Sequence, residues 1–317
     1  MFSFAGIRSS TVADATKASG YPPRERYERI VRQHIEGSAD LAQAPLGTLT
    51  LLELTVDAVA LWSQGNEAGL APTTAKIALI TLNQVCRFAL RRGWLADNPV
   101  ARLEPGAKPR WTPGRVAILE GDDLAKVLDH AGPHRPLFEM LAYTGLRIGE
   151  LLGVVWADVD LDGGILHVHR QLSRKRVHRP LKTEAAEREV ILAPAVIRLL
   201  RQRWLASAHK GPDALIFCTR HGRGLNYRRV GDVFRAAVTR SRVRKAGRLS
   251  LHSLRHGSAS LLIAKRLDPV FVSCRLGHAN ANVTLSVYSH LFARREHGEL
   301  ARQALEASYA AMASAGR

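Results

Sequence analysis

Cysteine is nearly absent: 317 residues carry three, Cys86, Cys218 and Cys274. They lie far apart and match neither a disulfide framework nor a zinc-ligand spacing. This excludes a cysteine-stapled secreted scaffold and fits a reduced, cytoplasmic compartment. No stretch reaches the ~18 consecutive apolar residues that suggest a membrane span. The N-terminus lacks a charged start followed by an apolar stretch, so no secretory signal is expected. There is no P-loop and no dinucleotide glycine fingerprint. The thirteen histidines are scattered, and the motif strings described below lack a carboxylate cluster or a His/Cys ligand spacing. No metal and no cofactor is therefore expected. Internal repeats and low-complexity tracts are also missing.

Acidic charge is the other shortage, with 28 Asp/Glu against 46 Lys/Arg and a net charge of +18. The imbalance is uneven. Residues 1–110 hold 13 Lys/Arg and 10 Asp/Glu, whereas residues 111–317 hold 33 and 18. Such a field favours a polyanionic partner, of which nucleic acid is the simplest. No basic amphipathic helix of the interfacial type is seen, which weighs against an anionic membrane. The run 220–248 alone carries ten Arg/Lys and one acid, Asp232. Cations of this kind suit phosphate contacts, which position DNA without reading its bases. Arg174, Lys175, Arg176 and Arg188, with Arg220, Arg223, Arg228 and Arg229 from the run, are the candidates for DNA contact.

Hydrophobic content of 46% is ordinary for a globular chain. Residues 1–23 are rich in Ser, Ala, Thr and Gly and read as a flexible leader. Residues 24–105 read as a helical domain. The pattern gives one helix over 24–36, one after Thr50, and one from Thr73, as N-cap, to Arg92. The stretch EPGAKPRWTPG lies within 104–114, and residues 106–116 are read as a linker. A second domain, 117–317, mixes helices with a small antiparallel sheet. Asp122 and Asp123 are expected to cap a helix ending near His130. Further helices are expected over 136–143, Arg147 to Val155, 194–208, 227–240, 254–265 and 299–312. Strands are expected over 164–171 and 188–193.

Six polar residues stand out in this second domain: Arg147, Lys182, His252, Arg255, His278 and Tyr288. Together they form a metal-free kit for attacking a phosphodiester. Two guanidiniums can hold one phosphate, since the arginine fork binds two oxygens and stays charged. A lysine and two histidines can handle protons and hydrogen bonds. A tyrosine hydroxyl can be the nucleophile, although a free phenol of pKa about 10 needs activation. Arg147 follows Thr144-Gly145-Leu146, a turn that can open a helix, and Glu150 three residues on can brace it. His252 and Arg255 are spaced i, i+3 and project toward one ligand. His256 is read as pointing elsewhere, in a supporting or structural role.

The local strings are TGLRIGELLGVVWADVD, LKTEAAEREVIL, LHSLRHGSAS and LGHANANVTLSVYSH. In content and order they resemble the tyrosine recombinases (phage-integrase family), over residues 24 to 300. The last string, with Tyr288 ten residues after His278, is the most specific. Ala186 stands where family members often carry serine, while Arg188 and Val190 keep the register. The resemblance implies a mainly α fold with a small antiparallel sheet (α+β), made of a helical core-binding domain and a catalytic domain that clamp DNA. It implies a 3′-phosphotyrosine intermediate, with Lys182 protonating the departing 5′-oxygen and His278 bonding the scissile phosphate. It also implies four protomers acting on double-stranded recombination sites at the nucleoid, with possible accessory DNA-bending proteins. An arm-binding domain is expected to be absent or truncated, and the tail after Tyr288 to dock on a neighbour. The reading is an integrase of a phage or other mobile element. A catalytically silent DNA-binding regulator and a type IB topoisomerase stay open beside it.

Overall fold

The structure, a computed structural model, describes residues 28–36, 46, 49–50, 53–110, 116–181, 183, 186–244, 246–278, 280–288 and 302. The chain separates into two compact units, Met1–Gly114 and Arg115–Arg317. The expected leader and the helix expected over 299–312, apart from residue 302, lie outside the described residues.

The first unit is helical. A short π-helical turn, Val31–Ile35, is followed by α1 (Val56–Gly69) and α2 (Pro72–Arg91). Thr55 begins α1, its side chain accepting from the Ala58 N–H at 3.2 Å. The expected start after Thr50 is too early, because Thr50 is held by Glu53 through its N–H and its hydroxyl. Pro72 occupies the first turn of α2, where its missing N–H costs nothing. Ala71 is therefore the boundary, rather than Thr73. The unit closes over Ile35, Leu46, Val59, Ala78 and Leu82, all buried.

The second unit is mostly helical, with two small antiparallel sheets. It begins with α3 (Gly121–Asp129), α4 (Arg135–Thr144) and α5 (Ile148–Gly153). Glu120 precedes α3, so Asp122 and Asp123 lie inside the first turn. There they face the positive end of the helix dipole rather than cap it. Strands β1 (Val159–Asp160), β2 (Ile165–Val168) and β5 (Arg188–Ile191) form one sheet in the order β1-β2-β5. Strands β3 (Arg170–Leu172) and β4 (His178–Pro180) form the other. The single strand expected over 164–171 is thus broken at His169, and its halves pair in different sheets. Val168 pairs with Arg188 and Gln171 with Arg179.

Five helices complete the described unit: α6 (Pro194–Ala206), α7 (Tyr227–Ser241), α8 (Leu251–Ala264), α9 (Pro269–Leu276) and α10 (Ala281–Tyr288). The main core runs through Phe138, Leu151, Val190, Leu200, Phe234 and Leu254. Phe138 meets Phe234 edge-on, with centroids 5.3 Å apart. A smaller apolar cluster of Ala259, Ile263, Val272, Leu276 and Tyr288 joins α8, α9 and α10. Among the described residues, no helix is long and apolar enough to cross a membrane.

Candidate active site

Three helix termini and one helix face bring the sequence-selected residues together. Helix α4 ends at Gly145 in the left-handed conformation, φ 69°. This turn delivers Arg147 to the position just before α5. Helix α9 ends the same way at Gly277, φ 67°, and presents His278. Glycine is needed at both turns. A Cβ on Gly145 would lie 2.8 Å from a Leu276 methyl, and one on Gly277 would lie 2.6 Å from the Arg188 guanidinium. Helix α8 contributes His252 and Arg255 from one face, and α10 ends on Tyr288.

The arginines are fixed by backbone oxygens. Arg255 is 2% exposed. Its Nη1 donates to Gly145 O and its Nη2 to Leu276 O, each at 2.7 Å. Arg147 Nη2 donates to Gly277 O at 2.7 Å, across 130 positions of sequence. Two guanidiniums therefore converge on the α4 and α9 turns. Burial first, and then the Arg147 charge, lower the Arg255 pKa to about 9, which leaves it a cation at pH 7.

Glu150 supplies the balancing negative charge. Its Oε1 accepts from Arg147 Nη1 at 2.7 Å, and its Oε2 from the Arg147 N–H at 2.9 Å. Oε2 also accepts from Arg188 Nη2 at 2.9 Å. Burial raises the pKa of this carboxyl, but Arg188 and Arg147 together outweigh it and hold the value below the ordinary 4.5. Arg188 itself departs from its expected place. Its side chain is only 7% exposed, and it also donates to Arg275 O and Ala186 O. It braces Glu150 from inside rather than offering a surface contact. Arg174, Lys175, Arg176, Arg220, Arg223, Arg228 and Arg229 are all exposed. A shallow groove beside them is lined by Arg174, Asn226, Tyr227, Arg228, Gly231 and Arg235. The Arg174 guanidinium sits over the Tyr227 ring, 5.7 Å from its centroid.

The histidines and the tyrosine complete the cluster. His278 Nδ1 is 2.9 Å from the buried Thr284 hydroxyl. Burial and then Arg255 depress the His278 pKa to about 4. His252 reaches solvent and is also depressed, by partial burial and by Arg255 and Arg147. Tyr288 is 1% exposed, and burial lifts its phenol to about 12 against the pull of Arg255. Its hydroxyl lies 2.5 Å from His256 Nδ1. The expectation that His256 points elsewhere is therefore wrong. Spacing already carried the signal: His256 is one helical turn from His252, and i, i+4 residues share a face. Their rings meet edge-on, with centroids 4.4 Å apart. Lys182 lies outside the described residues. Among those described, no group of three or more His, Cys, Asp or Glu could hold a metal ion.

Residues 118–295 match the model of the phage integrase family, and the chain belongs to that family. It is similar to the prophage integrase IntR of Escherichia coli, 25% identical over 247 residues, which cover 71% of this chain and 59% of that protein. A XerC-like tyrosine recombinase of Caldanaerobacter subterraneus is 24% identical over 304 residues, 86% of this chain and 74% of that one. Among solved structures, the Tn1549 transposon integrase in complex with a circular intermediate DNA superposes with a TM-score of 0.76 at 19% identity, over 93% of this chain and 98% of that one. A lambda integrase dimer bound to a core site gives 0.60 at 20% identity, over 88% and 93%. The chain spans 59% of IntR and 64% of a second Escherichia coli relative, the putative defective protein IntQ.

Proposed function

We propose that this protein is a site-specific tyrosine recombinase that cleaves and rejoins double-stranded DNA without metal or ATP. In this reading Arg147 and Arg255 hold the scissile phosphate, while His252 and His278 donate hydrogen bonds to it. The Tyr288 oxygen attacks phosphorus as the P–O5′ bond breaks. The protein is left joined to the 3′-phosphate, and Lys182 protonates the departing 5′-oxygen. Preorganised cations suit this role, because charge builds on the phosphate oxygens in the transition state and one such donor is worth about 10²–10³ in rate. One observation carries the reading. Arg147, Arg255, His278 and Tyr288, drawn from three separate strings, meet around the Gly145 and Gly277 turns. The exposed arginines of the second unit would track the DNA backbone.

The relatives support a narrower role, in integrating or excising a phage or other mobile element, since two of them are a prophage integrase and a transposon integrase. We further propose four protomers on two duplexes, acting at the bacterial nucleoid. Covalent trapping tests the chemistry. The protein and its Tyr288→Phe variant are incubated without magnesium with a randomised pool of nicked duplexes, and DNA surviving a denaturing wash is sequenced. Attachment that requires Tyr288 is expected. Attachment by the Phe variant would remove Tyr288 as nucleophile.

A further inference from the structure

We propose that His256 is a catalytic residue of this site, the group that receives the phenolic proton when Tyr288 attacks. The inference rests on the recombinase reading above and adds to it a proton acceptor that the six selected residues leave unnamed.

Geometry comes first. A general base must lie within hydrogen-bond reach of the proton it takes. His256 Nδ1 lies 2.5 Å from the Tyr288 oxygen. His252 meets the His256 ring edge-on, with centroids 4.4 Å apart, and it is the His256 nitrogen that the phenol oxygen approaches. His278 Nδ1 is engaged with Thr284. Arg255 has both Nη atoms on backbone carbonyls and in any case cannot accept a proton.

The surroundings of His256 set when it can act. The groups around it are His252 and Arg255 on its own helix, His278 after α9 and Tyr288 on α10. Burial first, and then His252, Arg255 and His278, press its pKa down to about 4. The imidazole is therefore neutral near pH 7. With its proton on Nε2, it accepts from the phenol at Nδ1. A phosphodiester held by Arg147 and Arg255 brings a negative charge that offsets part of the cationic influence. His256 then becomes more basic as substrate arrives.

The step balances. The Tyr288 oxygen–phosphorus bond forms while the P–O5′ bond breaks. The phenolic proton moves to His256 Nδ1, giving an imidazolium, and the general acid, proposed as Lys182, protonates O5′. Rejoining runs the same transfers backward, and His256 returns its proton to the tyrosine.

His256→Asn is the informative variant, because an amide oxygen can replace Nδ1 as hydrogen-bond acceptor but cannot take the proton. Adduct formation on the randomised nicked-duplex pool is timed for the parent and His256→Asn from pH 6 to 10, beside DNA affinity and thermal melting. With folding and affinity retained, His256→Asn should react about 10²–10³-fold more slowly at pH 7. Its rate should also climb more steeply with pH than the parent's, as hydroxide and spontaneous ionisation replace the lost base. A His256→Asn rate within threefold of the parent overturns the proposal. So does a slower variant whose pH profile parallels the parent's, which would assign His256 to packing. A parent that gives no Tyr288-dependent adduct overturns the recombinase reading instead, and any catalytic role for His256 with it.

Discussion

Arg188 and Glu150 form an ion pair at 2.9 Å in which both side chains are almost sealed from solvent, at 7% and 1% exposure. Breaking a buried pair strands the remaining charge and typically costs about 3–5 kcal/mol. Arg188→Met should therefore lower stability by that order in chemical denaturation. Adding Glu150→Leu should restore part of it, because the stranded carboxylate goes too. A simple sum of the two single losses would show that the pair is not coupled.

The exposed arginines behave differently. Each phosphate contact contributes about 0.9 to the slope of log affinity against log salt on duplex DNA. Arg228→Ala should weaken DNA binding and reduce that slope by about 1. A neutral replacement of Arg188 should leave the slope unchanged once its folding loss is allowed for. Filter binding across a salt series separates them, and an unchanged slope for Arg228→Ala would remove it from the DNA surface.

Acid should destabilise the folded protein through its histidines. The pKa values of His252, His256 and His278 all fall below the ordinary 6.5. The folded state thus favours their neutral forms, and the unfolded chain binds more protons as pH drops. Stability is full above pH 6.5 and declines from there toward about 4, where His256 and His278 finally charge. His256→Asn should flatten this decline, by no more than the ~1.4 kcal/mol per pH unit that one proton supplies. Denaturation midpoints at pH 7, 6, 5 and 4.5 check it, and an unaltered slope would refute it.

Lys182 is testable through its leaving group. If it is the general acid, Lys182→Ala should lose cleavage on ordinary DNA and regain it on a substrate whose 5′-bridging oxygen is sulfur. A thiolate leaves without protonation. Failure of the rescue would move the acid role elsewhere.

Gly145→Ala should destabilise by at least the ~1–2 kcal/mol of a left-handed alanine. The Leu276 contact adds to this, because the new methyl would land 2.8 Å from that side chain. Thermal melting of Gly145→Ala measures the loss, and a Tm equal to the parent's would show that the turn relaxes freely.

The parts of this site that were legible in sequence are those set by local spacing. His252 and Arg255 share a helical face, Glu150 sits within reach of Arg147, and Thr144-Gly145-Leu146 is the turn that leads into α5. The phase of α8 was readable too, yet His256 was misplaced because the face was given to His252 and Arg255 alone. Thr55 and Pro72 likewise explain helix starts that apolar spacing put after Thr50 and a cap reading put at Thr73. Asp268 and Pro269 are an opening signal for α9, with Asp268 Oδ1 accepting from the Val270 and Phe271 N–H groups. That helix was not expected because its eight residues are too few to show periodicity. The burial of Arg188 had no local signal. It depends on Arg275 O and Glu150, 87 and 38 positions away, and such contacts exist only once the chain has folded.

Arg255 spans the carbonyls of Gly145 and Leu276 with one rigid fork. These oxygens belong to the ends of different helices, so the guanidinium works as a gauge block that sets the separation of the two turns. Lysine could keep the charge and still lose the spacing, since a point cation has no fixed width. In Arg255→Lys, Arg147 and His278 would drift relative to each other even before any DNA arrived. For this side chain, shape is as much the working part as charge.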